Sequence, residues 1–175
     1  MSDPYGYNGS GLKHMDETVA EDKETGKWRN VAEFQFKEWY ERTTNTTLTP
    51  DDDWLDTTAQ KRFDIKGLNA YDSGFLRKGT IRINAGIRDK GIPRMQRTGI
   101  PTFIVVAFGL DGKLYIAPIE ELVSCSQPFN GDDQTDRATL LADSHIFKEM
   151  GQMSPEDINK GWVEFKTNTR PKTFK

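Results

Sequence analysis

The spacing of apolar and polar positions changes along this 175-residue chain, and each change marks an element. In residues 27–42, Trp28, Ala32, Phe36, Trp39 and Tyr40 recur at three- and four-residue intervals. That spacing predicts a helix with one apolar face, with Phe34 pointing away from it. The polar run 43–49 reads as a loop. Residues 62–67 read as a short strand ended by Gly67, and residues 80–84 (TIRIN) alternate with period two, as a half-exposed strand does. Residues 85–100 are basic and punctuated by Gly86, Gly91, Pro93 and Gly99, which predicts a loop or a broken helix. The run 102–108 (TFIVVAF) is the most apolar and β-branched, and reads as a buried central strand. A turn at 110–113 and a strand at 114–117 complete a hairpin, and residues 118–123 start a short helix. Beyond a polar loop at 126–136, residues 137–150 read as helical. Ser154, Pro155 and Asp157 form a helix start, and residues 161–165 read as a last strand. The order of helix, strands, hairpin and helix predicts one α/β or α+β domain with helices packed on a central mixed sheet.

Composition sets the limits of that domain. Residues 1–24 are rich in Gly, Ser, Asp and Glu without an apolar period, and read as a disordered acidic arm. The domain then spans 25–165, and 166–175 is a basic tail. No apolar run approaches the roughly eighteen residues of a membrane span, and no signal-peptide pattern opens the chain. A cytoplasmic protein is expected, in the host cytoplasm if phage-encoded. The single Cys125 excludes an intramolecular disulfide framework and reads as a small core residue. Two histidines are too few for a multi-histidine metal site.

The net charge of -3 argues at first against a nucleic-acid partner, but it is unevenly laid out. Residues 51–60 hold Asp51, Asp52, Asp53 and Asp56 and no base, giving -4. Residues 61–100 hold ten Lys/Arg against three acids, giving +7. An acidic knot is therefore followed by a basic block suited to a phosphate backbone. Arg82, Arg88, Lys90, Arg94, Gln96 and Arg97 are candidates to line a DNA groove. Within the candidate strand, Asp64 and Lys66 are two apart and share a face. Two or three carboxylates hold Mg²⁺ through oxygen ligands and leave positions for water and phosphate. A neighbouring lysine can orient the attacking water and stabilise developing charge.

Pro50-Asp51 followed by Asp64-Ile65-Lys66 resembles the signature of the PD-(D/E)XK nuclease superfamily, which includes restriction endonucleases, Holliday-junction resolvases and small phage or intron homing endonucleases. An upstream helix in which Glu33 precedes Phe36, Trp39 and Tyr40, and the downstream TFIVVAF and KLYIAPIEEL strands, are similar to the family pattern over roughly residues 27–123. The resemblance implies a restriction-endonuclease-like domain and Mg²⁺-dependent cleavage of DNA, with Mn²⁺ as a substitute. It implies Asp64 and one of Asp53, Asp52 and Asp51 as metal ligands, preferred in that order because Asp53 lies eleven residues before Asp64. Asp56, eight before, is the other acid in range. Lys66 would position water, and Glu33 would add a metal or water contact. Enzymes of this kind often act as homodimers or larger assemblies so that both strands are cut. The competing expectation is a non-catalytic phage protein of the same fold that binds nucleic acid or a protein partner.

Overall fold

The computed structural model describes residues 19–50, 53–68, 79–108, 112–128 and 139–170. The chain runs through β1 (Val19–Asp22), β2 (Trp28–Asn30), α1 (Val31–Thr44), β3 (Leu48–Pro50), β4 (Trp54–Asp56), β5 (Lys61–Leu68) and β6 (Thr80–Asn84). A π-helical turn (Ile87–Gly91) leads into α2 (Ile92–Thr98), then β7 (Thr102–Phe108), β8 (Lys113–Pro118), α3 (Ile119–Ser124) and β9 (Ser126–Pro128). The last part comprises β10 (Thr139–Asp143), a 3-10 turn (Ser144–Ile146), β11 (Lys148–Gln152), α4 (Pro155–Asn168) and β12 (Thr169–Arg170).

Six strands form a mixed sheet in the order β11-β8-β7-β5-β4-β3. Only the β5–β7 pair is parallel, and it lies at the centre of the sheet. The class is α+β, with helices flanking that sheet. β7 alternates its side chains between two separate apolar layers, and β5 contributes to the first of them. Phe63, Ile65, Val105 and Ala107 face α1 and α4, where Phe34, Phe36, Trp39, Tyr40 and Phe165 fill the first layer. Ile104, Val106 and Ala117 face the other way, onto α3 and a small sheet of order β6-β10-β9. A third small sheet, β12-β1-β2, ties the two ends of the described chain together.

Capping fixes where the long helices begin. Asn30 accepts from the backbone N–H of Glu33, and Glu33 accepts from that of Asn30, a reciprocal capping box. Ser154 and Asp157 repeat the device at α4, with Pro155 in its first turn. Asn45 ends α1 in the left-handed conformation.

Several elements differ from those the sequence predicts. The first helix starts at Val31 and continues to Thr44, so part of the expected 43–49 loop is helical and Leu48–Pro50 is a strand. Trp28 lies in β2 and is 59% exposed, whereas Phe34 is buried, because α1 is covered on two sides, by the sheet and by α4. Of the expected 137–150 helix, residues 139–150 are described and hold no α-helix. Leu140 and Ala142 are buried at period two in β10, and β11 follows. Residues 161–165 belong to α4. Gly161 lies where α4 meets the backbone of Gln35 so closely that a Cβ would clash. Gln127 lies in β9 rather than in a loop. The strand β1 begins within the expected arm, and α4 and β12 run through Lys166 to Arg170 of the expected tail. Among the described residues, no helix is long and apolar enough to cross a membrane.

Candidate active site

β5 is an interior strand with one apolar face and one charged face. Phe63 and Ile65 enter the α1 layer, while Arg62, Asp64 and Lys66 share the opposite face. The register pairs Asp64 with Ile104 and Lys66 with Val106, both buried in the second apolar layer. Apolar side chains would be the stable choice on a central strand, and charges there carry a desolvation cost. Local rules of this kind are broken mainly at functional sites.

β4 supplies the second carboxylate. It pairs antiparallel with β5, Trp54 opposite Phe63 and Leu55 opposite Arg62. Extending that register by one residue sets Asp53 against Asp64, which is the structural meaning of their eleven-residue spacing. Like charges opposite one another destabilise an antiparallel pair. Asp53, Asp64 and Lys66 line one open cleft of about 800 Å³, whose other wall comes from the π-turn and α2, including Asp89, Lys90, Arg94 and Arg97. Asn84 at the end of β6 and Thr102 at the start of β7 also line it.

Glu33, at the start of α1, feels the charges of the same two carboxylates. Asn30, the cap of α1, donates its Nδ2 to the carbonyl oxygen of Ile65, between Asp64 and Lys66, at 3.2 Å. The helix start is thus pinned beside the signature. Burial pushes the Glu33 carboxyl up to about 8. The Arg29 guanidinium opposes the rise, and the negative charges of Asp64 and Asp53 add to it. Asp53 is likewise pushed up to about 6 by burial and by Asp64, against the pull of Arg94 and Arg62. The like charges of Asp53 and Asp64 therefore repel one another at this end of the cleft.

That donor set suits a hard divalent cation, which takes carboxylate oxygens and relieves this repulsion. Asp53 and Asp64 are the residues placed to hold one. Among the described residues, no group of three or more His, Cys, Asp or Glu side chains is gathered closely enough to hold a metal ion as it stands. Two of the acidic side chains are already engaged. Arg94 Nη2 draws Asp53 Oδ2 to 2.6 Å, and Glu33 is engaged at 3.2 Å by the backbone N–H of Asn30.

The expected site residues separate into groups. Asp53, Asp64 and Lys66 come together in the cleft, and Glu33 acts on them through its charge. Asp51 and Asp52 lie outside the described residues. Asp56 faces away, buried and accepting from Tyr40 Oη at 2.5 Å and from the backbone of Thr58 and Ala59. Gln35 donates to the carbonyl of Ile158 on α4, not to the site. Of the expected nucleic-acid contacts, Lys90, Arg94 and Arg97 line the cleft. Arg94 is engaged by Asp53, and Arg88 by its neighbour Asp89 at 2.8 Å. Arg88, Arg82 and Gln96 are exposed and do not line the cleft, although Arg82 shares a strand face with Asn84. Cys125 is exposed, not a core residue. Arg62, Asn84 and Asp89 were not singled out from the sequence. The two-residue step back from Asp64 was a signal for Arg62, whereas Asn84 and Asp89 reach the cleft only through the crossover between β5 and β7.

Comparison with protein-family models, with curated proteins and with solved structures finds no match.

Proposed function

We propose that the protein is a Mg²⁺-dependent endonuclease that hydrolyses phosphodiester bonds of DNA in the cleft between β5 and α2. The observation that carries this reading is the paired Asp53 and Asp64 beside Lys66, on the charged face of a central strand and opposite a basic wall. The resemblance to the PD-(D/E)XK pattern supports it, since these are the residues that pattern assigns.

When bound, the cation supplies charge neutralisation at the phosphate and a more acidic water. Asp53 and Asp64 hold it. Lys66 orients the attacking water and stabilises charge developing on phosphorus oxygens. Hydrolysis forms one P–O bond to the water oxygen and breaks one P–O ester bond, and the leaving oxygen takes a proton. Lys90 and Arg97 on the opposite wall bind flanking phosphates. A second copy of the chain would supply the cut in the other strand.

The other reading is a nucleic-acid-binding protein without catalysis, favoured by the Arg94–Asp53 ion pair that already neutralises one carboxylate. Plasmid, branched and single-stranded DNA incubated with the protein in Mg²⁺ and in EDTA separate the two. Cleavage in Mg²⁺, lost in EDTA and in Asp64→Ala and Lys66→Ala, is expected. Salt-sensitive binding without cleavage would establish the second reading. Equal cleavage by wild type and both variants would remove the site from the reaction.

A further inference from the structure

We propose that Arg94 is a displaceable counter-cation: in the metal-free protein its guanidinium occupies the Asp53 carboxylate, and a divalent cation expels it toward nucleic-acid phosphate in the same cleft. The inference rests on the nuclease reading for its second half, and on geometry alone for its first.

Arg94 Nη2 and Asp53 Oδ2 are 2.6 Å apart, with both side chains largely shielded from solvent. The pair spans the cleft from α2 to the residue preceding β4. Asp53 lies against Asp64, so a positive charge beside it relieves their repulsion. A guanidinium supplies one charge to one carboxylate. A divalent cation would supply two charges, with Asp53 and Asp64 as the residues that would hold it, and so would compete with the guanidinium for Asp53.

The arm that carries Arg94 is anchored at its base by the buried Ile87 and Gly91 and is loosely packed beyond them. No residue of α2 is fully buried, and Ile92 and Met95 are only partly packed on the second apolar layer. The π-helical turn Ile87–Gly91 joins it to β6, and Gly99 ends it in the left-handed conformation at φ 70°. π-helical turns recur at functional sites. Once expelled, the guanidinium stands in a cleft with Lys90 and Arg97, and its planar fork suits two oxygens of one phosphate. The arrangement couples metal loading to the appearance of a phosphate-binding group.

A permanent strut between α2 and the sheet would have the same geometry but the opposite response to mutation. Calorimetric titration of the full chain with Mn²⁺ distinguishes them. Arg94→Gln is expected to bind Mn²⁺ about tenfold more tightly than wild type, since the competing cation is gone. At saturating Mn²⁺ it is expected to cleave DNA more slowly. Unchanged or weakened Mn²⁺ affinity overturns the proposal, as does the absence of Mn²⁺ binding in both proteins. Hydrogen exchange on wild type gives a readout free of any folding defect in the variant. Mn²⁺ is expected to speed exchange across residues 87–98 while slowing it in β5. Unchanged or slower exchange in 87–98 overturns the proposal. Tighter Mn²⁺ binding by Arg94→Gln, with no DNA cleavage by wild type, would keep the displaceable contact and remove the nuclease reading.

Discussion

Asp64 is the residue on which the chemistry and the folding energy pull in opposite directions. Its charge lies opposite Asp53 and raises the proton affinity of both Asp53 and Glu33. Replacing it with Asn keeps the shape and removes the repulsion. Asp64→Asn in EDTA is expected to melt a few degrees above wild type, the scale of about 1 kcal/mol in a domain of this size, while losing cleavage. A melting temperature that drops instead would mean that the carboxylate supports the fold. Lys66→Ala is expected to slow cleavage by about 10² to 10⁴-fold, the range for loss of a positioned proton-transfer group, with little change in melting. The same carboxylates set a pH dependence. Glu33 and Asp53 have folded pKa values of about 8 and about 6, raised above the ordinary carboxylate range by burial. Groups raised in this way favour folding fully below their unfolded values and lose that contribution as pH climbs through the folded ones. The metal-free protein is therefore expected to lose stability between pH 5 and pH 8, as read by thermal melts. Glu38, pushed up to about 7 chiefly by its hydrogen bond to Glu164, adds to the same fall. Glu33→Gln isolates the share of the site. Melting temperatures that stay flat or rise across this interval would contradict the charge account.

Among the elements, the N-terminal turn of α1 links fold to site. Asn30 caps the helix and also holds the Ile65 carbonyl, so one side chain sets both the helix start and its position against β5. Asn30→Ala is expected to cost about 1 kcal/mol in chemical denaturation, the usual penalty for a lost cap. Cleavage is expected to fall as well, because Glu33 shifts with the turn. A stability loss without any effect on cleavage would confine Asn30 to capping. The elements also show what the sequence could reveal. β6 and β7 were legible because period-two alternation and a β-branched run are local signals, and the helix start at Ser154 because capping is local too. The 137–150 segment misled because Leu140 and Ala142 face a sheet partner, β6, that lies far away in sequence. The β-rich look of 161–165 was overridden by packing, with Gly161 allowing α4 to approach α1 closely. Asp64 and Lys66 could be paired from their spacing alone, whereas Asp53 was preferred over Asp52 and Asp51 only through the spacing that the family resemblance implies. The clasp of Arg94 on Asp53 could not be read from spacing, since it depends on how the crossover between two parallel strands folds back over the sheet.

Taken over the whole molecule, the net charge of -3 hides a division of labour across one cleft. The carboxylates stand on the sheet, and Lys90 and Arg97 stand on the facing wall. If those two side chains neutralise phosphates, the Lys90→Ala, Arg97→Ala double variant is expected to bind DNA more weakly. Its log–log salt slope should then be shallower by about 2. An unchanged slope would place the DNA path elsewhere. The central claim is that a cation held by Asp53 and Asp64 drives hydrolysis beside Lys66. Its most direct test is the rate of supercoiled-plasmid nicking as Mg²⁺ is titrated into EDTA-stripped protein, wild type against Asp64→Asn. Nicking that rises and saturates with Mg²⁺ in wild type, and falls at least about 100-fold in Asp64→Asn, is the expected result. Nicking that persists in EDTA, or that is undiminished in Asp64→Asn, would contradict it.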